Sequence, residues 1–199
     1  MPHIDLFFST LSPYAYMAGT RAEEVAAKHG ATITYKPLDI MALFSRTGGT
    51  PPADRHINRV EYRAQDMPRH AKKLGMPINP KPAHWPTNAA PSSYAIIAAQ
   101  NAGGGDMGQL CHSILKACWV EEKNIAEDTV IRACLESAGF DPSLADSGLL
   151  SGAETYAANL EEAVKRGAFG VPFYITDQDQ RFWGQDRIDD LDAMLAGDL

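Results

Sequence analysis

The chain has 199 residues, 45% of them hydrophobic and 22% charged, which is the make-up of a globular protein with one sizeable core. Its formal net charge of −7 argues against a nucleic-acid partner, which needs a basic surface. The opening Met1-Pro2-His3-Ile4-Asp5 has no basic, apolar leader, and no apolar run approaches the ~20 residues that span a bilayer, so a cytoplasmic protein with no membrane partner is expected.

Ile4-Asp5-Leu6-Phe7-Phe8 predicts a buried strand, ended by Ser9 and Thr10. Ser12-Pro13-Tyr14-Ala15 then opens a helix. Ser12 is a good N-cap, and Pro13 stands at the first helical position, where its missing N–H costs nothing. Tyr14, Met17, Ala18, Ala22, Val25 and Ala26 share one face of a helix expected to run to His29 and stop at Gly30. A hydroxyl at such a junction lies over the positive helix end, where an anion would bind. On these residues alone, Ser12 is either a plain cap or part of a site. Thr32-Ile33-Thr34-Tyr35-Lys36 predicts a second strand, parallel to the first through a right-handed crossover.

From Asp39 to about Gly152 no strand is expected. Gly48 to Pro52 is a loop. Val60, Ala64, Met67, Ala71 and Leu74 recur at helical spacing, with Pro68 predicting a kink or break near Asp66-Met67. Asn79 to Pro91 carries Pro80, Pro82, Pro86 and Pro91 and reads as an extended loop, before an alanine-rich helix from Ser92 to Asn101. Gly103-Gly104-Gly105 follows a helix and lacks Gly-Lys-Ser/Thr, so it is a linker rather than a phosphate loop. Cys111 and Cys118 are seven apart on a helix from about Met107 to Val120. With Cys134 they read as small buried hydrophobes rather than a redox pair, and no His or Cys stands at metal-ligand spacing. Asp128-Thr129 and Asp141-Pro142 each open a helix. Ser151-Gly152-Ala153-Glu154 is a capping box for another, ending at Gly167.

Strands return at the far end. Gly170-Val171-Pro172-Phe173-Tyr174-Ile175-Thr176 is one, Asp177 to Gln180 a turn, and Arg181-Phe182-Trp183 the returning strand. Asp186 is expected to cap a final helix carrying Ile188, Leu191, Met194 and Leu195. The fold expected is α/β, thioredoxin-like with a large all-helical insertion. Residues 1–38 and 166–199 form the thioredoxin-like part and 39–165 the inserted helices.

A strand, a loop and a proline-led helix start is how the thioredoxin superfamily places its active site. Here Ser12-Pro13-Tyr14-Ala15 has no sulfur at either end, which speaks against dithiol oxidoreduction. Phe8-x-x-x-Ser12-Pro13-Tyr14-x-Tyr16 resembles the 2-hydroxychromene-2-carboxylate isomerases and the kappa-class glutathione transferases, both in the DsbA-like branch. The resemblance implies glutathione as cofactor, with Ser12 hydrogen-bonded to its sulfur. It further implies a cis Val171-Pro172 bond leaving the Val171 main chain free for the tripeptide's backbone. Trp183-Gly184-Gln185-Asp186 would hold the γ-glutamyl end, Asp186 on the ammonium and Gln185 on the carboxylate. Arg55, Trp85 and Asn88 fall where the resembled families meet a small aromatic substrate, although Ala53 stands where the isomerases carry Asn, and Pro51-Pro52 looks more like the kappa pattern. The function so implied is glutathione-dependent cis–trans isomerisation of 2-hydroxychromene-2-carboxylate or a related aromatic-degradation intermediate. The alternatives are a kappa-class-like transferase or peroxidase and a non-catalytic thioredoxin-fold binding module. A homodimer is compatible with it.

Overall fold

The computed structural model describes residues 1–199. Four strands form one sheet in the order β2-β1-β3-β4. β1 (His3–Phe8) pairs in parallel with β2 (Thr32–Pro37), and antiparallel on its other side with β3 (Phe173–Thr176). β4 (Arg181–Trp183) closes the sheet antiparallel to β3. Because side chains alternate along a strand, β1 feeds two cores at once. Ile4, Leu6 and Phe8 join a large cluster that includes Tyr174, Trp119 and Leu191, whereas Phe7 joins Phe173, Ile175, Leu43 and Ala163 on the other face. The large cluster takes residues from both the sheet and the helices of 39–165, so one core runs through both.

The first expected helix is two. α1 (Pro13–Ala18) ends at Gly19, whose φ of +60° a side chain would resist, and α2 (Arg21–His29) follows in a new direction. The junction is held by Arg21, which donates to the carbonyls of Met17 (3.1 Å) and Ala18 (3.2 Å). α3 (Ile40–Thr47) was not expected. Asp39 caps it, accepting from the N–H of Met41 and Ala42, and it ends on left-handed Gly48. α4 (Ile57–Leu74) runs unbroken past Pro68. Met67 and Ala71 are anchored in the core on either side of the proline, which offsets the lost hydrogen bond. Only this second half of α4 is core. Val60 and Tyr62 are 43% and 62% exposed.

α5 (Ala90–Ala102) and α6 (Met107–Trp119) flank the glycine linker, followed by α7 (Asp128–Ser137) and α8 (Leu144–Ser147). α9 (Leu149–Lys165) begins two residues before the expected capping box, and Ser151 lies inside its first turn without capping it. Gly152 packs so tightly on Tyr94 that a Cβ would stand 2.7 Å from the tyrosine Cβ, so contact between α9 and α5 fixes this start rather than local capping. β3 starts at Phe173, three residues later than expected, because the pairing with β1 begins only there. α10 (Ile188–Ala196) closes the chain. All three cysteines are free and buried, and burial pushes Cys118 up to about 12 and Cys134 up to about 11. No helix is long and apolar enough to cross a membrane.

An ion cluster ties the sheet to α9. Asp5 is bonded by Arg166 and by Lys36 (3.1 Å), and Lys36 also donates to Glu162 (2.6 Å). Burial alone would raise the Asp5 carboxyl, but the hydrogen bonds and charges of Arg166 and Lys36 outweigh it and hold it below the ordinary 3.8. A depressed folded-state pKa stabilises the fold above the unfolded value and ceases to do so as pH falls through the folded one. Asp5→Asn is therefore expected to lower the melting temperature at pH 7 and to flatten its decline below about pH 4. Melting curves from pH 7 to 2.5 that coincide for the two proteins would dismiss this role.

Candidate active site

Three chain segments far apart in sequence meet at one cleft of about 770 Å³. The β1–α1 junction brings Leu11, Ser12 and Tyr14. The loop before β3 brings Phe169, Gly170 and Val171, and the turn after β4 brings Trp183 to Arg187. The rest of the lining comes from α3, the short 3-10 turn Pro52–Asp54 and α4.

Ser12 is the N-cap of α1. Its Oγ accepts from the Ala15 N–H at 3.1 Å, and the residue is 8% exposed. That bond uses Oγ as acceptor only, so its O–H remains available to donate into the cleft. α1 has only six residues, so what the helix adds here is its first free N–H groups rather than a long macrodipole.

The Val171-Pro172 bond is cis. Neither the N–H nor the C=O of Val171 has a partner in the protein, and the residue lines the cleft. This is a short strand edge able to bind a peptide backbone. Pro172 lies behind the cleft, and its carbonyl accepts from the N–H of Gly184 (2.9 Å), tying the loop to the next part of the site.

Gly184 has a φ of +110°, a conformation that needs glycine. It lets the chain leave β4 into the 3-10 turn Gln185–Arg187. Asp186 lies within that turn and does not cap α10, which begins at Ile188 with no side-chain cap. The extra turn moves the helix cap by one residue, from Asp186 to Arg187. The Asp186 carboxylate is half-exposed, its nearest cation being Arg187 at 3.7 Å. Gln185 is the opposite case, 3% exposed and fully engaged. Its Oε1 and its carbonyl oxygen both accept from Arg21 (2.6 and 2.9 Å), and its Nε2 meets His70 Nδ1 at 3.0 Å. What Gln185 offers a ligand is therefore main chain. Trp183 is 53% exposed and stacks edge-on with Phe169 at 4.8 Å, making an apolar rim. Gly170 permits this, since a Cβ there would stand 2.5 Å from Trp183 Nε1.

Because arginine only donates, Oε1 of Gln185 must face Arg21 and Nε2 must face His70. His70 Nδ1 is then the acceptor and its Nε2 carries the proton toward Asp66, 3.5 Å away. Asp66 also receives the hydroxyls of Tyr14 and Tyr62, both at 3.3 Å. Burial and then the Asp66 charge push the Tyr14 hydroxyl up, so it stays protonated beside Ser12. His70→Ala would strand a buried amide and is expected to cost about 1–3 kcal/mol. His70→Asn, whose Oδ1 can replace Nδ1, should recover most of it. Urea melts, with amide exchange read at Gln185 and Asp186, compare the two; equal losses would show that the acceptor does not matter.

The remaining expected positions divide. Arg55 lines the cleft, with Nε donating to the Thr50 carbonyl (3.0 Å) and the guanidinium over the Phe44 ring. Trp85 also lines it, with Nε1 donating to the Leu11 carbonyl (3.0 Å) and its ring tilted against Trp119. Asn88 does not line the cleft. Its side chain accepts from the Ala90 N–H at 3.0 Å and shapes the entry to α5 instead. Tyr14, Asn58, Arg59, Tyr62, Arg63, Asp66 and His70 were not anticipated. The signal for most of them was a polar, basic stripe on α4 running alongside Met67 and Ala71, which reads equally well as a solvated face.

Comparison with known proteins follows the same lines. A DSBA-like thioredoxin domain is matched across residues 3–196. The 2-hydroxychromene-2-carboxylate isomerase of Sphingobium xenophagum is 27% identical over 195 residues, covering 96% of this chain and 97% of that protein. Glutathione S-transferase kappa 1 of Caenorhabditis elegans is 31% identical over 83 residues, 41% of this chain and 36% of that one. A solved structure of a 2-hydroxychromene-2-carboxylate isomerase superposes with a TM-score of 0.76 at 24% identity, over 98% of this chain and 95% of the other.

Proposed function

Since the chain belongs to the DSBA-like thioredoxin domain family, we propose that it is a glutathione-dependent cis–trans isomerase acting on 2-hydroxychromene-2-carboxylate or a related aromatic-degradation intermediate. One observation carries the reading. A serine hydroxyl free to donate, an unpaired main-chain edge and a half-exposed carboxylate line a single cleft, in a protein similar over its length to relatives of that name. The three chemistries fit the thiol, the backbone and the free ammonium of glutathione. Three free, buried cysteines also suit a reducing compartment such as the cytoplasm.

Glutathione, when bound, would supply a thiolate nucleophile for reversible addition to a conjugated double bond. The chain's own residues do the rest. Ser12 donates to the sulfur and favours its ionised form without ionising itself, and no base flanks the serine to make it a nucleophile. Val171 fixes the peptide backbone, and Asp186 holds the ammonium at the turn Gly184 permits. Phe169 and Trp183 exclude water at one rim, while Phe44 and Trp85 offer apolar walls to an aromatic substrate.

The test is a calorimetric titration with glutathione on wild type and Asp186→Asn, followed by product analysis with 2-hydroxychromene-2-carboxylate. Expected are binding in wild type, weaker binding in the variant, and a trans product with glutathione recovered unchanged. A retained conjugate would make the protein a transferase. No heat and no thermal shift would leave only a binding module.

A further inference from the structure

The part of the cleft lining supplied by α4 has an unusual charge arrangement. Arg59 and Arg63 are four residues apart on α4, roughly 6 Å between Cβ atoms, and Arg55 extends the row toward α3. Like charges so spaced repel one another. Among 25 acidic residues in a chain of net charge −7, none pairs with any of the three. Arg59 and Arg63 make no side-chain hydrogen bond at all, and Arg55 makes one, through Nε, so both terminal nitrogens of all three forks stay free. Two of the forks lie over aromatic rings, Arg55 over Phe44 and Arg63 over Trp85, with Cζ 5.6 and 5.5 Å from the centroids. Burial pushes Arg55 and Arg63 below the usual guanidinium range, and for Arg55 the neighbouring arginines push further.

Neither acidic group that lines the cleft pairs with the row. Asp66 takes Tyr14, Tyr62 and His70, and Asp186 stands across the cleft beside Arg187. A single carboxylate fills one guanidinium fork and cannot neutralise a row of three.

From this we infer that the wall selects an aromatic acceptor bearing two anionic groups at opposite ends, each seated in a different fork of the Arg55–Arg59–Arg63 row while the ring lies among Phe44 and Trp85. The inference rests on the isomerase reading for what the acceptor becomes, and not for whether it binds. Its chemistry is that of a dicarboxylate. A second source for one of the charges is the glycyl carboxylate of glutathione, and the experiment separates the two.

The probes have saturated side chains and cannot react: 3-phenylpropanoate with one carboxylate and 3-(4-carboxyphenyl)propanoate with two, one at each end of the ring. Affinities are read from tryptophan fluorescence, without glutathione and with it at saturation. Wild type is expected to bind the dicarboxylate about tenfold more tightly, with glutathione present or absent. Arg59→Gln and Arg63→Gln should each bring the two probes within about threefold of each other while retaining the wild-type melting temperature. Equal affinities in wild type overturn the inference. So does a preference unchanged in both variants, or one that vanishes when glutathione is added, which would assign a fork to the glycyl carboxylate. Failure of glutathione to bind, with the dicarboxylate preference intact, would instead remove the isomerase reading and leave the anion-binding wall.

Discussion

Ser12→Ala is expected to leave the protein folded and to reduce turnover near neutral pH by about ten- to a hundredfold. The fold survives because the substitution removes one cap, worth ~0.5–2 kcal/mol, from a total of about 5–15. Glutathione binding should weaken only modestly, since the Val171 edge and the Asp186 end are intact. The sulfur, however, loses a donor, and a hydrogen bond to a charged group contributes about 1.5–3 kcal/mol. The pKa of the bound thiol should rise by roughly one to two units. A group whose ionised form is less stabilised reacts normally only at higher pH, so the activity of the variant should partly recover as the solution becomes more alkaline. Ser12→Cys probes the same position from the other side, because a sulfur there can form a mixed disulfide with glutathione and block the cleft. The measurement is a pH–rate profile for all three proteins with thiolate absorbance read in parallel. If Ser12→Ala changes neither the bound-thiol pKa nor the rate, the serine is only a cap.

The second large effect is on stability. Trp119 ends α6, is fully buried, and backs the Trp85 ring that lines the cleft. Trp119→Ala is expected to cost about 3–5 kcal/mol, a large part of the total for a domain of this kind. The loss should reach the site as well, because Trp85 hydrogen-bonds the Leu11 carbonyl next to Ser12. Trp119→Phe should cost only about 1–2 kcal/mol. The indole Nε1 is buried with no partner, so the smaller ring leaves a void but removes an unpaired donor. Urea midpoints at constant m-value give both numbers. An Ala variant within ~1 kcal/mol of wild type would mean that the core collapses around the site, contrary to the packing described.

How far the chain could be read without coordinates depended on the range of the interactions. The strand–cap–proline opening at Ile4 to Pro13 and the return of strands after Gly170 are local patterns, and both ends of the sheet formed as expected. The break at Gly19 was hidden because the apolar positions Tyr14 to Ala26 continue in phase across it. What redirects the helix is Arg21 reaching back to Met17 and across to Gln185, a contact no periodicity reveals. The apolar spacing of Val60, Ala64 and Met67 suggested a buried face along all of α4, but a period says which residues share a side and not what covers it. The same ambiguity concealed the arginine row. Trp85 and Asn88 were both placed at the substrate by the family resemblance, yet in an irregular loop three residues suffice to send one side chain into the cleft and the other onto α5.

The strand order has a consequence for how the protein is made. β1 is an inner strand, and the register that pairs Ile4 with Thr176 completes its second edge with a segment translated long after it. A nascent chain can form the β1–α1–α2–β2 unit early, because its loops are short, but through most of synthesis that unit presents an open strand edge. Such an edge is a template for pairing with other chains, so the ribosome-bound intermediate needs shielding until β3 docks. Docking also delivers Val171 and Asp186 to Ser12. A polypeptide stalled before Gly170 would thus carry the serine motif and its cap yet lack the unpaired Val171 edge and the Asp186 carboxylate that complete the cleft.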